Sequence, residues 1–584
     1  MAQLFLDRLP ETQRPRLLLS LLCLLLWLPG FFTLPAGDRD ESRFAQASRQ
    51  MVETGDWVRI RNQEEERNKK PVGIHWAQAG TVTALEAVGI PARDAIWAYR
   101  FPSALGAWIA VLATFSLGRA LVGRRAAFLG AALLAAALVL CVEVHIAKTD
   151  AALLATVAVA MGLMGRAYLS PETFTPRQAA GFWLALGVGV LLKGPIGPMV
   201  PLLAGITLAA ADRSWGGTAA TGRRTAPSAL PGQEMPHSWW RALRPGWGVP
   251  LMLAIALPWL VAIGIATEGR FFAQAVGGDM LSKVGSGEEA HWGPPGYYLL
   301  TFGLTAFPGA FLVLRALPYA WTRRLQPPVR FLLAWAAPTW LLFEAVSTKL
   351  PHYVLPAFPP LMLLAAAWAL DPLRRPTPRW LAGLGWLALG GVATGLGIGA
   401  ALLPWLADRR VDPAALLAVP AAALLVWRVA VHGRSGEWGR AGLAAALLAI
   451  PLQWVVMQAV LPRLQAPWVS RQLGVAVASA AAAVPGGIPA GQVGLVGHHE
   501  PSAVFTLGTP VRLLRDGAEA ARFLAEGQRL GETRLVAVEE RQATAFAAEV
   551  AALSLSPAAA GQVEGFNYTR GRRVTLRLWR AGPS

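Results

Sequence analysis

Long apolar segments recur along this chain, and they limit the folds that are open to it. Predominantly apolar windows follow one another from Leu17 to about Leu461, each roughly 17 to 25 residues long, which is enough for a helix to cross a bilayer. A spanning segment must also satisfy its own backbone hydrogen bonds, and a helix does so. We therefore predict an all-α polytopic membrane protein with about 13 transmembrane helices.

Charged residues are scarce, and most of them are arginines in short loops. Asp, Glu, Lys and Arg make up 15% of the chain, against about 25% in soluble domains. The net charge of +18 is compatible with a nucleic-acid partner, but the arginines lie between apolar windows, where they act as a topology signal. We predict a multi-pass protein of a bacterial inner (plasma) membrane with a cytoplasmic N-terminus, surrounded by membrane lipids and without a nucleic-acid partner.

The composition changes near residue 465. Short β-rich runs (QVGLVG, VRLL, TRLVAV and RVTLRLW) there alternate with helical runs at 517–526 and 541–553, a pattern typical of a small α/β domain. An odd number of spans places this tail outside. We predict a transmembrane domain at 1–464 with outer loops at 35–97 and 268–296, followed by a periplasmic α/β domain at 465–584.

Lysine is rare, and the predicted topology places every lysine on the outer side of the membrane domain. Only six of the 53 basic residues are lysines. An arginine-rich genome leaves few lysines by chance, but chance does not readily place all of them on one face. Lysine binds a phosphate as a compact point charge. We therefore interpret the following as candidate phosphate ligands: Lys69, Lys70, Lys148, Lys193, Lys283 and Lys349.

Two aspartates fall on the same face. Asp40 follows the first apolar window and Asp150 begins the fourth, in HIAKTDAALL. Ionisable groups at the membrane are costly and usually functional, although each aspartate has a structural alternative as the N-cap of a helix. A carboxylate can accept a proton from an attacking hydroxyl, and cations can stabilise a leaving phosphate. These groups suit a reaction on a sugar-bearing isoprenoid phosphate.

Several segments resemble the motifs of a known family: in chain order DRDESRFAQASRQMVETGDWV, NKKPVGIHWAQA, AKTDAALL, LLKGPIGPMVPLL, PWLVAI, HWGPPGYYLL and STKLPHYVLPAFPPLMLLAA. They are similar to those of GT-C glycosyltransferases related to protein O-mannosyltransferases and to the aminoarabinose transferases that modify lipid A. The resemblance covers roughly residues 35–370. It implies the GT-C fold and inverting transfer of a hexosyl or pentosyl group from a polyprenyl-phosphate donor to a hydroxyl or phosphate of a lipid, glycan or protein.

The resemblance also implies site residues. Asp40 corresponds to the catalytic aspartate of the family, Glu41 stands beside it, and Asp150 corresponds to the second family aspartate. Lys70 corresponds to the donor-phosphate lysine of a Glu-Lys-Pro-Pro loop. The other implied donor-phosphate residues are Lys193, Lys283, Lys349, His352 and Tyr353.

The Glu-Lys-Pro-Pro loop departs from the family pattern. Lys69 replaces its glutamate and Val72 its second proline. Where that glutamate helps to hold a metal, this chain does not do so in the same way. We predict no metal site and no required cofactor, although a divalent cation is compatible with the family.

Histidines give weaker signals. His75 and His291 could donate to a phosphate or a sugar, but a structural role beside Trp76 or Trp292 is the simpler interpretation. The tail segment HHE at 498–500 has ligand types that suit zinc. Adjacent ligands are unusual in helices and strands, which favours an ordinary turn.

Two other classes of function remain open from the sequence. A lipid-phosphate transporter or flippase would also place cations near a membrane cavity, but it would usually show inverted repeats and charges near the midplane of the bilayer. A noncatalytic scaffold with a binding module in its tail would tolerate the loss of Asp40 or Asp150.

Overall fold

The computed structural model describes residues 13–216, 239–281 and 293–582. Lys283, His291 and Trp292 lie outside these ranges, as does part of the predicted loop 268–296. The helices before the tail are α1 (Pro15–Trp27), α2 (Asp40–Thr54), α3 (Gly73–Ala87), α4 (Ile96–Ala136), α5 (Leu138–Val144), α6 (Asp150–Leu169), α7 (Pro176–Lys193), α8 (Ile196–Gly216), α9 (Trp239–Ala242), α10 (Pro245–Ala266), α11 (Arg270–Phe272), α12 (Tyr297–Thr305), α13 (Ala310–Thr322), α14 (Pro327–Ala345), α15 (Phe358–Leu370), α16 (Arg379–Asp408), α17 (Pro413–Leu416), α18 (Ala418–Arg434) and α19 (Trp438–Trp454).

Shorter elements connect these helices. Two π-helical segments, Ala273–Leu281 and Val455–Val460, continue α11 and α19. A two-stranded hairpin, β1 (Arg61–Asn62) and β2 (Glu65–Glu66), lies in the loop between α2 and α3. Single 3₁₀ turns follow at Pro171–Thr173, Leu355–Ala357 and Leu461–Arg463.

The multi-pass membrane character is confirmed. Within the described ranges, six helical segments are long and apolar enough to cross a membrane: Ile96–Ala136, Asp150–Leu169, Pro245–Ala266, Arg379–Asp408, Pro413–Arg434 and Trp438–Arg463. The count of 13 spans stays a prediction, because several apolar windows are divided differently. The segment from Ile96 to Ala136 bends at Gly123, where φ is 77°, with one apolar stretch before the bend and another after it. A single predicted span forms two short helices, α12 and α13.

Close packing of α4 against α6 fixes the end of the bundle at which α6 begins. A Cβ atom at Gly106 of α4 would lie 2.5 Å from the Cα atom of Ala152 in α6, so the glycine allows the two backbones to approach. On the same face of α4, the hydroxyl of Ser103 donates to the carbonyls of Ile146 and Lys148, each at 2.9 Å. Helix α4 therefore holds the loop that carries Lys148 and leads into Asp150.

The tail forms a small α/β domain, as predicted. Its helices are α20 (Val469–Ala482), α21 (Pro501–Leu507), α22 (Gly517–Leu530) and α23 (Ala543–Ala552), with 3₁₀ turns at Ala490–Gln492 and Glu540–Gln542, and its strands are β3 (Val493–Val496), β4 (Arg512–Leu514), β5 (Arg534–Glu539), β6 (Ala558–Asn567) and β7 (Arg572–Ala581). The sheet has the order β4-β3-β5-β7-β6. Strands β4, β3 and β5 are parallel, whereas β7 is antiparallel to both β5 and β6.

The tail packs onto α2 and α4 through α21 and the residues that follow it. The ring of Phe505 meets that of Tyr99 edge-on, with centroids 5.5 Å apart, and its carbonyl accepts a hydrogen bond from Arg49 at 3.1 Å. Gln46 of α2 donates to the Thr509 hydroxyl at 2.7 Å. These contacts bring the tail against the helix that begins with Asp40.

Candidate active site

The loop after α1 presents Asp40 at the first position of α2. Arg39, which precedes it, has a φ of 61°, a conformation that costs a non-glycine residue about 1–3 kcal/mol and therefore needs support from its surroundings. The side chain of Asp40 is 55% exposed and lies 3.7 Å from Arg43 in an ion pair. Arg39, rather than Asp40, occupies the N-cap, and no side chain caps α2. The N-cap alternative for Asp40 is therefore wrong.

Glu41 lies beside Asp40 but points into the protein. Its carboxylate forms two hydrogen bonds with the Arg100 guanidinium, at 2.7 and 3.0 Å, and accepts the backbone N–H groups of Gly37 and Ala147 at 2.7 and 3.0 Å. Arg100 also donates to the carbonyls of Leu34 and Pro35, both at 2.9 Å. This arrangement gives Glu41 a positioning role, because it joins the loop of Asp40 to the loop of Lys148.

The tail also holds the loop of Asp40. The hydroxyl of Tyr568 accepts the backbone N–H of Asp38 at 2.6 Å, and the hydroxyl of Ser502 donates to the carboxylate of Asp38. Arg39 donates to the carbonyl of Thr569 at 3.4 Å. Two residues on the N-terminal side of Asp40 are thus anchored by the α/β domain.

A compact charged cluster lies where α6 begins and α7 ends. Asp150 forms an ion pair with Lys193 and lies 3.6 Å from the ammonium of Lys148. Lys148 also donates to Glu143 at 3.1 Å. Thr149 takes the N-cap of α6 without a side-chain hydrogen bond, so the capping alternative for Asp150 is wrong as well.

His352 and Tyr353 complete this cluster from the loop before α15. The His352 ring lies 3.5 Å from Asp150 and 3.4 Å from Glu143. The ammonium of Lys193 lies over the Tyr353 ring, 4.9 Å from its centroid. We call Glu143, Lys148, Asp150, Lys193 and His352, together with Tyr353, the outer cluster, after the side of the membrane on which the sequence predicts it.

Asp40 and Lys70 act on the outer cluster electrostatically. The charge of Asp40 acts on Lys148, and the charge of Lys70 acts on His352. The predicted catalytic residues Asp40 and Asp150 and three of the candidate phosphate lysines, Lys70, Lys148 and Lys193, are therefore close enough to interact. Lys69 is exposed.

Lys349 makes a different set of contacts. Its ammonium donates to the carbonyls of Glu344 and Val346 at 2.7 and 2.8 Å, and it lies 3.7 Å from the carboxylate of Glu344. These carbonyls belong to the end of α14, where a cation is favoured by the helix dipole. The described contacts give Lys349 a structural role at this helix end, and they do not place it in the outer cluster.

His75 has a structural environment. It is fully buried in α3, where its ring stacks on Phe44 with centroids 5.3 Å apart and its Nδ1 lies 2.9 Å from the Ser48 hydroxyl. Burial lowers the pKa of His75 to about 3, so the ring is neutral. This agrees with the structural interpretation of His75, although the packing partner is Phe44.

The HHE segment belongs to the hydrogen-bond network of the tail. His498 lies 3.3 Å from the Ser470 hydroxyl, and Ser470 lies 2.7 Å from Ser502. Glu500 accepts hydrogen bonds from Asn567 and Thr569 at 2.9 and 3.2 Å. The segment therefore supports the β6–β7 hairpin, whose Tyr568 binds Asp38. This agrees with its interpretation as an ordinary turn.

Arg100 and Glu143 are the residues that sequence reasoning missed. Each sits alone in an apolar run, in WAYRFPSALG and LVLCVEVHIA, and ionisable residues in such runs are rare and usually paired. That signal could have selected both residues. It could not have shown that Arg100 pairs with Glu41, which is 59 positions away.

The outer cluster contains a group of potential metal ligands. Glu143, Asp150 and His352 each offer one ligand atom, and these atoms lie within 4.8 Å of one another. One imidazole and two carboxylates suit a divalent cation. Lys148, however, already lies beside both carboxylates and Lys193 pairs with Asp150. The ammonium groups thus already provide compensating charge for both carboxylates.

Comparisons with known proteins agree on one kind of enzyme. The family model described as dolichyl-phosphate-mannose-protein mannosyltransferase matches residues 69–220. The undecaprenyl phosphate-alpha-4-amino-4-deoxy-L-arabinose arabinosyl transferase of Aeromonas salmonicida (strain A449) is 27% identical over 466 residues, which cover 76% of this chain and 77% of that one. The protein of the same description from Pseudomonas paraeruginosa (strain DSM 24068 / PA7) is 27% identical over 372 residues, covering 62% and 59% of the two chains.

A solved structure shares the fold along almost the whole chain. ArnT from Cupriavidus metallidurans, bound to undecaprenyl phosphate, superposes with a TM-score of 0.71 and 19% sequence identity over 97% of this chain and 99% of that chain. The chain resembles the GT-C aminoarabinose transferases. The apo form of the same ArnT superposes with a TM-score of 0.70. The GT-C fold, including the tail, is therefore confirmed.

Proposed function

We propose that this chain is an inverting GT-C glycosyltransferase that moves a sugar from a polyprenyl-phosphate donor to an acceptor on the periplasmic face of the inner membrane. The observation that carries the proposal is the outer cluster, in which Lys148 and Lys193 share Asp150 at the outer ends of two helices. Asp40 begins the neighbouring helix α2. The resemblance to polyprenyl-phosphate glycosyltransferases supports the same interpretation.

The outer cluster has the charges that a phosphate needs. Lys148 and Lys193 are largely buried, and the charge of Lys70 acts on the same region. A lysine in such surroundings interacts with a phosphate much more strongly than one in bulk water does. A donor phosphate would meet these ammonium groups while its lipid chain stays in the bilayer.

The same groups can serve the chemical step. The acceptor oxygen attacks the anomeric carbon of the sugar, the bond from that carbon to the phosphate oxygen breaks, and the polyprenyl phosphate leaves with the bonding electrons. Lys148, Lys193 and Lys70 stabilise the negative charge that develops on the leaving phosphate. Asp40 accepts the proton when the acceptor is a hydroxyl, and a phosphate acceptor attacks without that transfer. A single displacement of this kind inverts the anomeric centre.

The relatives indicate which donor and which acceptor this chain uses. Their names specify an undecaprenyl phosphate donor that carries 4-amino-4-deoxy-L-arabinose. We therefore assign that donor to this chain, with lipid A as the acceptor. The arginine loops support a cytoplasmic N-terminus, so both the outer cluster and the tail domain face the periplasm.

The test is a reconstituted transfer reaction. Purified protein in liposomes is supplied with undecaprenyl-phosphate aminoarabinose and lipid A, and the product is identified by its mass. Lipid A that carries the added sugar, formed by the wild type and lost in Asp150→Asn, supports the proposal. Movement of the lipid phosphate across the bilayer without any sugar transfer contradicts it and favours a flippase.

A further inference from the structure

A second cation-rich cavity lies at the other end of α15 from His352. It has a volume of about 460 Å³ and is lined by four arginines and three tryptophans, among them Arg315, Arg375, Arg434 and Trp368. Helix α15 begins at Phe358, next to the loop of His352, and ends at Leu370. A helix of that length advances about 20 Å, so the cavity lies on the face opposite to the outer cluster. We call it the inner basic cavity.

Arg315 is the buried element of the inner basic cavity. It is 2% exposed, and its guanidinium lies between the rings of Trp386 and Trp438, 4.8 and 4.7 Å from their centroids. Its hydrogen bonds go to two backbone carbonyls, those of Phe311 at 3.0 Å and Ala382 at 3.2 Å. Cation–π contacts and carbonyl dipoles stabilise the charge, but neither one neutralises it.

The cavity gathers positive charge without a carboxylate. Its other arginines are Arg374, Arg375 and Arg434, and in the described part of the chain no ion pair joins any of its four arginines to Asp or Glu. The nearest acidic positions in the sequence, Asp371 and Glu437, pair with arginines outside the cavity, Arg323 and Arg440. Burying uncompensated charge is costly, and an anion in the cavity would offset that cost.

We infer that the inner basic cavity binds the phosphate of an anionic lipid headgroup. Its arginines present the planar donors that match phosphate oxygens, and its three tryptophans provide amphipathic surfaces of the kind that lie at a membrane interface. Basic pockets between membrane helices on the cytoplasmic side are suited to such headgroups, and the arginine loops assign this end to the cytoplasm. The inference requires no step of the proposed transfer reaction.

Two exposed arginines and one matched control make the site testable. Arg375 and Arg434 are exposed and line the cavity, so Arg375→Gln with Arg434→Gln removes two charges without changing the core. Arg428 is in the same helix as Arg434, but its guanidinium lies over the exposed Trp427 ring at 5.5 Å, and it does not line the cavity. Arg428→Gln is therefore the control. If the double variant has a lowered thermal unfolding midpoint, the single variants Arg375→Gln and Arg434→Gln are measured instead.

Native mass spectrometry of the detergent-solubilised protein measures retention of phosphatidylglycerol and of phosphatidylcholine with the same acyl chains. We expect wild type and Arg428→Gln to prefer phosphatidylglycerol, and the affinity to fall roughly fivefold for each cavity arginine removed. Inorganic phosphate tests the source: if it fails to displace the lipid, the headgroup is the ligand. If it displaces the lipid and raises the unfolding midpoints of wild type and Arg428→Gln but not that of the double variant, the cavity binds phosphate, but its ligand is free phosphate. Equal retention of both lipids, or equal losses in the control and the double variant, overturns the inference.

Discussion

The carboxylate of Glu41 and the guanidinium of Arg100 form a buried ion pair with two hydrogen bonds, in which the side chains are 5% and 1% exposed. The pair joins three segments: the end of the first apolar segment, the start of α2 and the loop that carries Lys148. The residue beside the proposed base therefore organises the site and is not free to react.

Breaking this pair should destabilise the protein. Glu41→Gln leaves the Arg100 charge buried without a carboxylate, which typically costs about 3–5 kcal/mol, so we expect a clearly lower thermal unfolding midpoint in detergent. Glu86→Gln is the matched control, because Glu86 forms the same two-bond pair with Arg93 in a more exposed position, where such pairs contribute about 0–1 kcal/mol. Similar losses in the two variants would contradict the assigned role of Glu41.

Lys193 should contribute to donor affinity through its charge. Lys193→Met keeps an unbranched side chain but removes the ammonium that lies over Tyr353 and pairs with Asp150. Loss of a charge-assisted contact of about 1.5–3 kcal/mol predicts binding of undecaprenyl phosphate that is weaker by roughly tenfold to a hundredfold, as measured by titration. Lys69→Met, at an exposed lysine, should leave the affinity almost unchanged, and equal effects would disprove the assignment.

The contact between Asp38 and the tail should depend on pH. Burial is the main reason why the pKa of Asp38 rises from 3.8 to about 6 in the folded protein. Between these values the folded state binds more protons than the unfolded state, so the contribution of Asp38 to stability falls as the pH rises from about 4 to 6 and is constant above that. The change amounts to at most about 3 kcal/mol.

The measurement compares wild type with Asp38→Asn, because other groups titrate nearby. Burial lowers the pKa of His498 to about 4, which gives the opposite slope, since stability then rises with pH. The difference in unfolding free energy between the two proteins removes that shared term. We expect the advantage of wild type over Asp38→Asn to shrink between pH 4 and pH 6; parallel curves would show that the Asp38 carboxyl does not titrate there.

The Tyr568 hydroxyl should support turnover more than global stability. Tyr568→Phe removes the acceptor for the Asp38 N–H at 2.6 Å, a single hydrogen bond worth about 0.5–1.5 kcal/mol. Because this bond anchors the loop that presents Asp40, we expect kcat for transfer to a hydroxyl acceptor to fall roughly threefold to tenfold while the unfolding midpoint changes little. A variant with full kcat would mean that the tail does not position Asp40.

Chelation should leave transfer intact. Lys148 and Lys193 compensate the carboxylates that could otherwise hold a divalent ion. We therefore expect the initial rate of transfer to be unchanged after dialysis against EDTA. A rate that is lost on dialysis and restored by zinc or magnesium would contradict this account of the outer cluster.

The sequence predicted the membrane fold and most of the tail, because both follow from local patterns. Apolar windows and alternating β-rich runs report on neighbouring residues, and four strands appear where they were predicted. Strand β6 was missed because its run AAAGQVEGFN is rich in small residues and has an irregularity between Ala559 and Gly561. Its long pairing with β7 compensates for a weak local preference.

The sequence predicted only those site residues whose type and position alone indicate a function. Asp150 and Lys193 were selected as rare charges on one face, and the structure brings them together. Glu41 and Lys349 met the same criterion, but nearby donors bind the Glu41 carboxylate and backbone carbonyls bind the Lys349 ammonium. Partner choice at such positions depends on packing between distant segments, as with Glu41 and Arg100, and one sequence does not encode it in a local pattern.

The most direct test of the central claim separates catalysis by Asp40 from donor binding. Sugar transfer from radiolabelled undecaprenyl-phosphate aminoarabinose to a hydroxyl-bearing acceptor and to lipid A is measured for wild type, Asp40→Asn and Lys70→Ala, together with donor affinity. The account predicts that Asp40→Asn binds the donor normally but loses transfer to the hydroxyl acceptor, whereas Lys70→Ala binds the donor more weakly. Undiminished hydroxyl transfer by Asp40→Asn would contradict the account.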